Sequence, residues 1–425
     1  MKRWHSLIAP MWFVAVLSTT ATVHAQAISP GASTSAPPQL QRRPLQKPEL
    51  QNRSDDSAAQ KNELVFDVIA VDKASSPLAG LHAENFEILD NKKPVSIEHF
   101  QAVTSSDNQA NGGAQVSLVM DAINTSRESL ARTEDEVKSF LKMNGGHLAV
   151  PISILILSDS KPAIRKDAAS SIASTTTALP DRQAFFRRIP PSADGNVLAQ
   201  ALDQNVIGLS RISEAQGGLG ETEKARLSIQ ALDAIGTAEE KVQGHKVIIW
   251  ISPGWARLAR ANTKSNASLF SDIVYFSDLM RDARITLDFI NPDGVSGVTL
   301  ADQSQAQAGR RGGFSSPDSL ASVEPTAESG PNWYEAYYGA VKNPNRADVN
   351  DLALQVLAHQ SGGLVLSKDN RIAPQIARCV NEAAVSYAIF YVPSHRSSST
   401  DYHELEVKIR KVNGTARARE GYYAK

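Results

Sequence analysis

The chain has 425 residues, which is long for one ordinary domain and suits one large domain with a smaller companion. Hydrophobic residues make up 42% and charged residues 21%, a globular composition that excludes a wholly disordered chain. The formal net charge of −1 gives no basis for predicting a nucleic-acid partner or an anionic membrane surface.

The N-terminus has the three parts of a secretory signal. Lys2 and Arg3 supply the positive start, residues 7–17 the apolar core, and Val23-His24-Ala25 a small-x-small cleavage site. We therefore predict a signal peptide over residues 1–25 and export to the periplasm or the extracellular space. The alternative is a retained anchor, but the apolar run is about half of the roughly 20 residues that a spanning helix needs. After cleavage we expect no stable membrane insertion.

Residues 26–60 are predicted to be a disordered linker. They hold five prolines and six glutamines and no aromatic residue. Such a segment buries too little apolar surface to offset the entropy of ordering its chain.

A small β module is predicted over residues 63–103. ELVFDVIAVD alternates in period two, and HAENFEILDNKKPVSIEHF predicts two short strands around the turn Asp90-Asn91-Lys92-Lys93. Asn91 tolerates the left-handed conformation that such a turn needs. A few strands alone leave an apolar face uncovered, so the module requires a second layer.

Residues 114–386 follow the rhythm of an α/β domain. Short apolar runs suit strands buried on both faces of a parallel sheet, and helical patterns separate them. The predicted strands are Val116–Met120, Val150–Leu157, Val247–Ile251, Ile285–Ile290 and Leu364–Leu366. The predicted helices are Ser129–Met143, Thr222–Ile235 with Gly236 as C-cap, Leu269–Arg284, Asp348–His359 and Ile372–Val385. This alternation predicts a doubly wound, mostly parallel sheet.

Two long polar segments interrupt the domain, residues 190–221 and a loop insertion at 293–346. Loops of this length are usually functional or disordered. The insertion carries an aromatic cluster of Trp333, Tyr334, Tyr337 and Tyr338. These side chains serve either as binding anchors or to dock the loop on its own domain.

Residues 387–424 return to strands, with SYAIFYVP leading into them from residue 386. YHELEVKIR alternates apolar and charged residues, as a half-buried antiparallel strand does, and ARAREGYY follows it. We expect these strands to pair with the module at 63–103, because each part is incomplete alone.

The chain has one cysteine, Cys379, which excludes an internal disulfide. Its spacing from Ile376, Val380 and Ala383 places it on the apolar face of a helix. We predict a buried small hydrophobe there, with a reactive thiol as the alternative.

Five stretches occur in a set order: FDVIAVDKASSPLAGLHAENFEILDNKKPVSIEHF, LVMDAINT, KVIIWISPGW, GGLVLSKDN and ELEVKIRKVNGTARAREGYYA. Together they resemble the bacterial VWFA-related proteins, which carry a variant von Willebrand factor type A domain behind a signal peptide. The resemblance covers residues 63–424 and implies a Rossmann-like α/β sandwich with its ligand site at the C-terminal edge of the sheet. It also implies a magnesium ion held by a D-x-S-x-S loop, a threonine of a second loop and an aspartate after a later strand.

The first metal loop of that family is matched in part. Asp121 takes the place of its aspartate and Thr125 that of its second serine. Ile123 stands where the first serine belongs and has no oxygen to offer. Asn124 supplies an oxygen only if the loop shifts its register.

The other two metal positions are also altered. Thr222, after GGLGE, matches the second-loop threonine and is equally suited to N-cap a helix. In IIWISPGW, Ser252 stands where the threonine of a TDG turn belongs and Pro253 where its aspartate belongs. If the site binds Mg²⁺, its ligands are Asp121, Thr125 and Thr222. We expect instead a degenerate site without a cofactor, in which Asp121 accepts loop N–H groups and caps the following helix.

No catalytic motif is complete, and the sequence predicts a protein without enzymatic activity. HQSGG at residues 359–363 lacks the leading glycine of G-x-S-x-G, and phosphate-loop, H-E-x-x-H and C-x-x-C patterns are missing. DFINPDG at 288–294 lacks the glutamate of a calcium loop and is predicted to be a strand-ending turn. His245, His359, His395 and His403 are expected to be surface or capping residues.

The leading hypothesis is an exported, non-enzymatic binding or adhesion module for a protein or peptide partner, based on the family resemblance. The residues predicted to contact the partner are Asp121, Asn124, Thr125, Thr222, Ser252 and the 254–264 loop. Three alternatives stay open: a structural envelope scaffold whose 293–346 loop makes the contacts, a magnesium-dependent ligand-binding domain, and a hydrolase with an unrecognised site.

Overall fold

The computed structural model describes most of the chain from residue 63 onwards. The described residues are 63–104, 114–160, 163–164, 173–180, 183–208, 210–212, 218–255, 265–294, 338–347, 349–366, 369, 371–393 and 400–424. They belong to one compact unit, Asp55–Lys425. The predicted signal peptide and linker, residues 256–264, most of the insertion with Trp333, Tyr334 and Tyr337, and His395 lie outside the described residues.

The strands and helices alternate in the α/β part and give way to strands at both ends. The strands are β1 (Leu64–Val71), β2 (Phe86–Asp90), β3 (Lys93–Val95), β4 (His99–Thr104), β5 (Gln115–Asp121), β6 (His147–Ser158), β7 (Ala163–Ile164), β8 (Thr175–Ala178), β9 (Phe185–Asp194), β10 (Asn205–Val206), β11 (Lys246–Ile251), β12 (Ile285–Ile290), β13 (Val365–Leu366), β14 (Val385–Tyr391), β15 (Tyr402–Ile409), β16 (Thr415–Arg417) and β17 (Gly421–Tyr423). The α-helices are α1 (Arg127–Leu141), α2 (Gly195–Gln204), α3 (Gly218–Glu239), α4 (Asn266–Asp282), α5 (Leu354–Gln360) and α6 (Ile372–Ala383).

A seven-stranded mixed sheet forms the centre of the α/β part, in the order β13-β12-β11-β5-β6-β9-β8. The first five strands of this order run parallel. β9 and β8 extend the sheet by antiparallel pairs, and β7 pairs with β10 outside it. The sheet is therefore mostly parallel, with an antiparallel edge.

Helices cover both faces of this sheet. α1, α2 and α6 pack on one face through residues such as Val137 and Ile376. α3, α4 and α5 pack on the other through residues such as Leu232 and Ile273. Because both faces are covered, every residue of β11 and β12 is buried, which explains why these strands are mainly apolar. Among the helices of the described residues, none has the length and apolar character that a bilayer span requires.

A second, all-β unit joins the two ends of the described chain. Two antiparallel sheets have the orders β16-β1-β14-β4 and β17-β15-β2-β3 and share one core. In the β1–β14 pair, Leu64 lies opposite Tyr391. Within the core the ring centroids of Phe86 and Tyr387 lie 5.2 Å apart. Strands from residues 64–104 and 385–423 thus complete one another, which supplies the second layer that a few strands lack alone.

The prediction of a long loop over residues 190–221 is wrong. β9 runs to residue 194, and α2 follows it directly. Asp194 caps α2 by accepting the N–H groups of Asn196 and Val197 at 2.9 and 3.3 Å. Leu198 and Leu202 of α2 are fully buried against the sheet. Two adjacent prolines and a glycine are typical of loops, and here they occur at the end of a strand and the start of a helix.

The predicted ends of several helices are also corrected. α3 runs from Gly218 to Glu239, so Gly236 is an interior residue and not a C-cap. A Cβ atom on Gly236 would lie 2.6 Å from the Leu279 side chain, so glycine allows α3 and α4 to approach closely. The helix predicted over 348–359 is a 3₁₀ turn followed by the short α5, which begins at Leu354.

Two of the histidines expected at the surface are buried. His245 is fully buried, with Nδ1 3.1 Å from Ser386 Oγ and Nε2 2.9 Å from Thr286 Oγ1. His403 Nδ1 lies 2.8 Å from Asp90 Oδ1 inside the all-β unit. Burial lowers the pKa of the His245 ring and favours its neutral form. These partners come from distant strands, which local sequence patterns do not reveal.

Candidate functional site

The carboxyl ends of four neighbouring parallel strands meet at one edge of the central sheet. β5, β6, β11 and β12 end there, followed by the segments 122–126, 159–160, 252–255 and 291–294. In open α/β sheets this edge is where loops leave a crevice for ligands. We call it the crevice.

Asp121, the last residue of β5, is 1% exposed and lies at the centre of the crevice floor. Its Oδ1 accepts the backbone N–H groups of Ile123 and Asn124 at 3.0 and 3.1 Å. Its Oδ2 accepts Asn124 Nδ2–H at 2.7 Å and the indole N–H of Trp250 at 3.2 Å. Four N–H donors therefore surround one buried carboxylate.

Burial raises the pKa of the Asp121 carboxyl, because water no longer solvates its charge. The hydrogen bonds from Asn124 and Trp250, together with the Ser252 hydroxyl, act in the opposite direction. Since every one of the four N–H groups needs an acceptor, the network favours the ionised form that can accept all of them.

Asn124 links the β5 loop to helix α3. Its Nδ2 lies 2.7 Å from both Asp121 Oδ2 and Ser228 Oγ, and Ser228 in turn donates to the Lys224 carbonyl at 2.9 Å. Asn124 Oδ1 is buried and has no hydrogen-bond partner among the described residues. Sequence patterns did not single out Ser228, since a small polar residue in the middle of a helix carries no signal of its own.

The helix caps near the crevice differ from those expected. Ser126 is the N-cap of α1, accepting the Ser129 N–H at 3.2 Å, so the expectation that Asp121 caps this helix is wrong. Thr222 lies inside α3, which begins at Gly218, so it is not an N-cap. Thr125 is 8% exposed, in the loop between Asp121 and the helix.

Ser252 and two tryptophans form the part of the crevice that follows β11. Ser252 is fully buried, and its Oγ accepts the Gly254 N–H at 3.2 Å. The rings of Trp250 and Trp255 meet edge to face with centroids 5.8 Å apart. Trp255 Nε1 is buried without an acceptor among the described residues.

The side-chain chemistry around Asp121 does not fit a magnesium ion. Mg²⁺ takes about six oxygen ligands in octahedral geometry. Protein groups bind it through oxygen lone pairs, and N–H groups cannot do so. Here Asp121 is surrounded by N–H groups, and the Ile123 side chain is fully buried and apolar. In the part of the chain that the structure describes, no three His, Cys, Asp or Glu side chains are arranged to hold a metal.

A second buried aspartate, which the sequence patterns did not single out, follows β6. Asp159 is 2% exposed, and its Oδ2 accepts the N–H groups of Arg211 and Ile212 at 2.7 and 3.2 Å and the Ser210 hydroxyl at 2.9 Å. The sequence does contain a pattern that could have identified it, because Asp159 follows an apolar run as Asp121 does. The two carboxylates fix loops beside each other at the same edge.

The rim beyond β12 is held by an ion pair. Arg132 Nη2 donates to Asp293 Oδ1 at 3.0 Å and to the Pro292 carbonyl at 2.8 Å, and Ser129 also hydrogen-bonds to Asp293. Asn291 Oδ1 accepts the Asp293 N–H at 3.0 Å. The predicted turn after this strand is thus present and is joined to the first turn of α1.

The described end of the insertion is docked on its own domain. Tyr338 is 3% exposed, its ring centroid lies 4.8 Å from that of His359, and its carbonyl accepts Gln360 Nε2–H at 3.1 Å. Of the aromatic cluster, Tyr338 is therefore part of the packing and not an exposed anchor. Cys379 is 1% exposed, and burial raises the pKa of its thiol well above the usual value, as suits a buried hydrophobe.

No protein-family model and no curated protein matches the chain. Solved structures with a distant likeness include the human COPII-coat protein Sec24c, with 9% identity and a TM-score of 0.30, covering 73% of this chain and 44% of that one. They also include the pilus adhesin SpaC from Lactobacillus rhamnosus GG, with 7% identity and a TM-score of 0.27, covering 83% and 49%. The chain spans less than half the length of either protein. A likeness of this size identifies no family.

Proposed function

We propose that the protein is an exported, non-enzymatic module with a von Willebrand factor type A-like domain that binds a protein or peptide partner in the crevice without a metal ion. One observation carries the proposal: the Asp121 carboxylate at the centre of the crevice floor accepts four N–H groups. The export part rests on the signal-like residues 1–25.

The network around Asp121 supports a rigid binding surface. A loop whose backbone N–H groups are held by a buried carboxylate keeps one conformation, and such preorganisation lowers the entropy lost when a partner binds. Asp159 holds a neighbouring loop in the same way, and the half-exposed Arg132–Asp293 ion pair joins a third loop to α1. Two neighbouring loops that buried carboxylates hold in one conformation are suited to recognising the shape of a partner.

The charge arrangement supports binding without a cation. In a metal-bridged domain the crevice aspartate must direct oxygen lone pairs towards the ion. Here Trp250 and Asn124 direct N–H groups at Oδ2. The partner would then contact the fixed loops and the exposed start of α1 directly.

Two charge reversals on the same helix test this surface. Arg127 is exposed at the first turn of α1 beside the crevice, and Lys142 is exposed just past its last turn, at the opposite edge of the sheet. The wild-type chain, Arg127→Glu and Lys142→Glu would each be immobilised and exposed to an envelope extract, and the retained proteins compared by quantitative mass spectrometry. We expect one partner whose capture falls about fivefold or more with Arg127→Glu, since a rim charge affects association, and is unchanged with Lys142→Glu.

The proposal fails if the wild-type chain retains no partner, or if the partner is retained equally by both variants. Repeating the capture in EDTA distinguishes the metal-independent hypothesis from the magnesium-dependent one. Capture that survives EDTA supports the metal-independent module, and capture that is lost supports the magnesium-dependent alternative.

A further inference from the structure

A pocket lies away from the crevice, where the end of β1, the turn between β15 and β16, and helix α6 meet. Its volume is about 320 Å³, and none of its lining residues belongs to the crevice. Three of the lining side chains are cationic: Lys73, Arg378 and Arg417. Lys73, just after β1, is 305 residues from Arg378 and 344 from Arg417 in sequence, so only the fold brings these three side chains together.

The two guanidinium groups share one buried carboxylate. Glu382 has a side chain that is 1% exposed, and its Oε1 accepts Arg378 Nε–H at 2.8 Å. Its Oε2 accepts a hydrogen bond from Arg417 Nη2, and Arg417 Nη1 donates to the Gly362 carbonyl at 2.9 Å. Both arginines are therefore held in fixed orientations. In binding sites, supporting hydrogen bonds of this kind position the side chains that contact the ligand.

Cationic donors remain for a ligand after these contacts are made. Within the described residues, the terminal nitrogens of Arg378 and the Lys73 ammonium have no hydrogen-bond acceptor, and the Arg378 side chain is 44% exposed. The Asp72 carboxylate is engaged by its own turn, because its Oδ1 accepts the N–H groups of Ala74 and Ser76 at 2.8 and 2.9 Å. Counting Glu382 beneath the pocket, three cations face two carboxylates, which leaves an excess of positive charge.

We propose that this pocket binds a small oxyanion, a carboxylate or phosphate group. A guanidinium offers two parallel N–H donors that match the spacing of carboxylate and phosphate oxygens, and an ammonium adds a third, movable donor. Ser75 and Thr415 line the same pocket, and a hydroxyl group is a neutral hydrogen-bond donor. The volume accommodates a small free anion or one acidic group of a larger molecule. This site does not depend on the function proposed for the crevice.

Calorimetric titration of the purified full chain at low ionic strength tests the site, with inorganic phosphate in one series and succinate in the other. We expect saturable millimolar or tighter binding of at least one anion, weakened about tenfold in Lys73→Gln by loss of one charge-assisted hydrogen bond. Arg378→Lys keeps the charge and a bond to Glu382 but loses the fork, and should weaken binding similarly. Lys93→Gln, an exposed lysine on β3, is the matched control and should change nothing.

Each result decides the proposal. Binding that is weakened by Lys73→Gln and Arg378→Lys but not by Lys93→Gln supports it, and the series that binds distinguishes phosphate from carboxylate. Heat without saturation in both series overturns it, as does binding that Lys73→Gln or Arg378→Lys leaves unchanged or that Lys93→Gln weakens equally. Because Lys73 is exposed and has no described partner, Lys73→Gln should unfold at the wild-type temperature, so its loss of binding cannot be attributed to misfolding.

Discussion

Replacing Asp121 by asparagine tests whether the carboxylate is a hydrogen-bond acceptor or a vacant metal ligand. Asparagine exchanges one acceptor oxygen for an NH₂ group that can only donate. Whichever way the amide turns, two of the four N–H donors around Asp121 then lose their acceptor. A buried donor left without a partner costs about 1–3 kcal/mol, and removing the buried charge returns part of this. We expect the free energy of unfolding to fall by about 2 kcal/mol.

Urea unfolding followed by circular dichroism, in buffer with EDTA, measures this difference. Asp293→Asn is the matched control, because Asp293 lies at the same edge with a side chain 35% exposed, and it should cost less than about 1 kcal/mol. If Asp121 were instead a metal ligand, the metal-free wild type would carry an uncompensated buried charge. An Asp121→Asn variant as stable as the wild type in EDTA, together with wild-type stabilisation by Mg²⁺, would refute the reasoning.

Two further predictions concern the scaffold. Gly195→Ala should destabilise the fold by about 2 kcal/mol in the same urea assay. A Cβ atom there would lie 1.9 Å from the backbone oxygen of Leu141, which cannot move away as a side chain can. Gly80→Ala is the control and should cost less, because no atom lies within 4 Å of the added Cβ, although φ is positive. Burial lowers the pKa of the Lys246 ammonium to about 8, below its value in the unfolded chain. The unfolded chain therefore binds more protons above pH 8, and the free energy of unfolding should rise by about 2 kcal/mol from pH 7.5 to 9.5. Lys246→Met should flatten this dependence on pH, and an equally steep dependence in the variant would contradict the assignment.

The sequence predicts the central sheet well because its signal is local. Each central strand is a short, mainly apolar run, because burial on both faces strongly favours apolar side chains. The helix α2 was missed for an equally local reason: Pro190 and Pro191 before it and Gly195 at its first position are typical of loops, although Asp194 caps a helix there. Local composition at an element boundary therefore misleads when a cap and a breaker stand together.

The site was harder to predict because its contacts are not local. Asp121 and Asn124 belong to one recognisable loop, but Trp250 and Ser228, which complete the network, are 129 and 104 residues away from their partners. Even within the loop, both Asp121 and Ser126 are suitable helix caps by residue type, and only backbone geometry selects Ser126. Residue identity predicts that a polar group needs a partner, whereas the fold decides which partner it has.

The two buried aspartates of the crevice both hold backbone N–H groups of a loop, Asp121 in its own loop and Asp159 in the segment 210–212. Asp121 and Asp159 each follow one of two adjacent parallel strands, and each accepts backbone N–H groups of a loop. An ion bridging two loops would be replaced here by two carboxylates that each hold a loop directly. A divalent cation would have to displace the Trp250 indole N–H from Asp121, and no oxygen on Ile123 would compensate. If the crevice binds a partner as proposed, its affinity should therefore be insensitive to chelators and should depend on the shape of the loops.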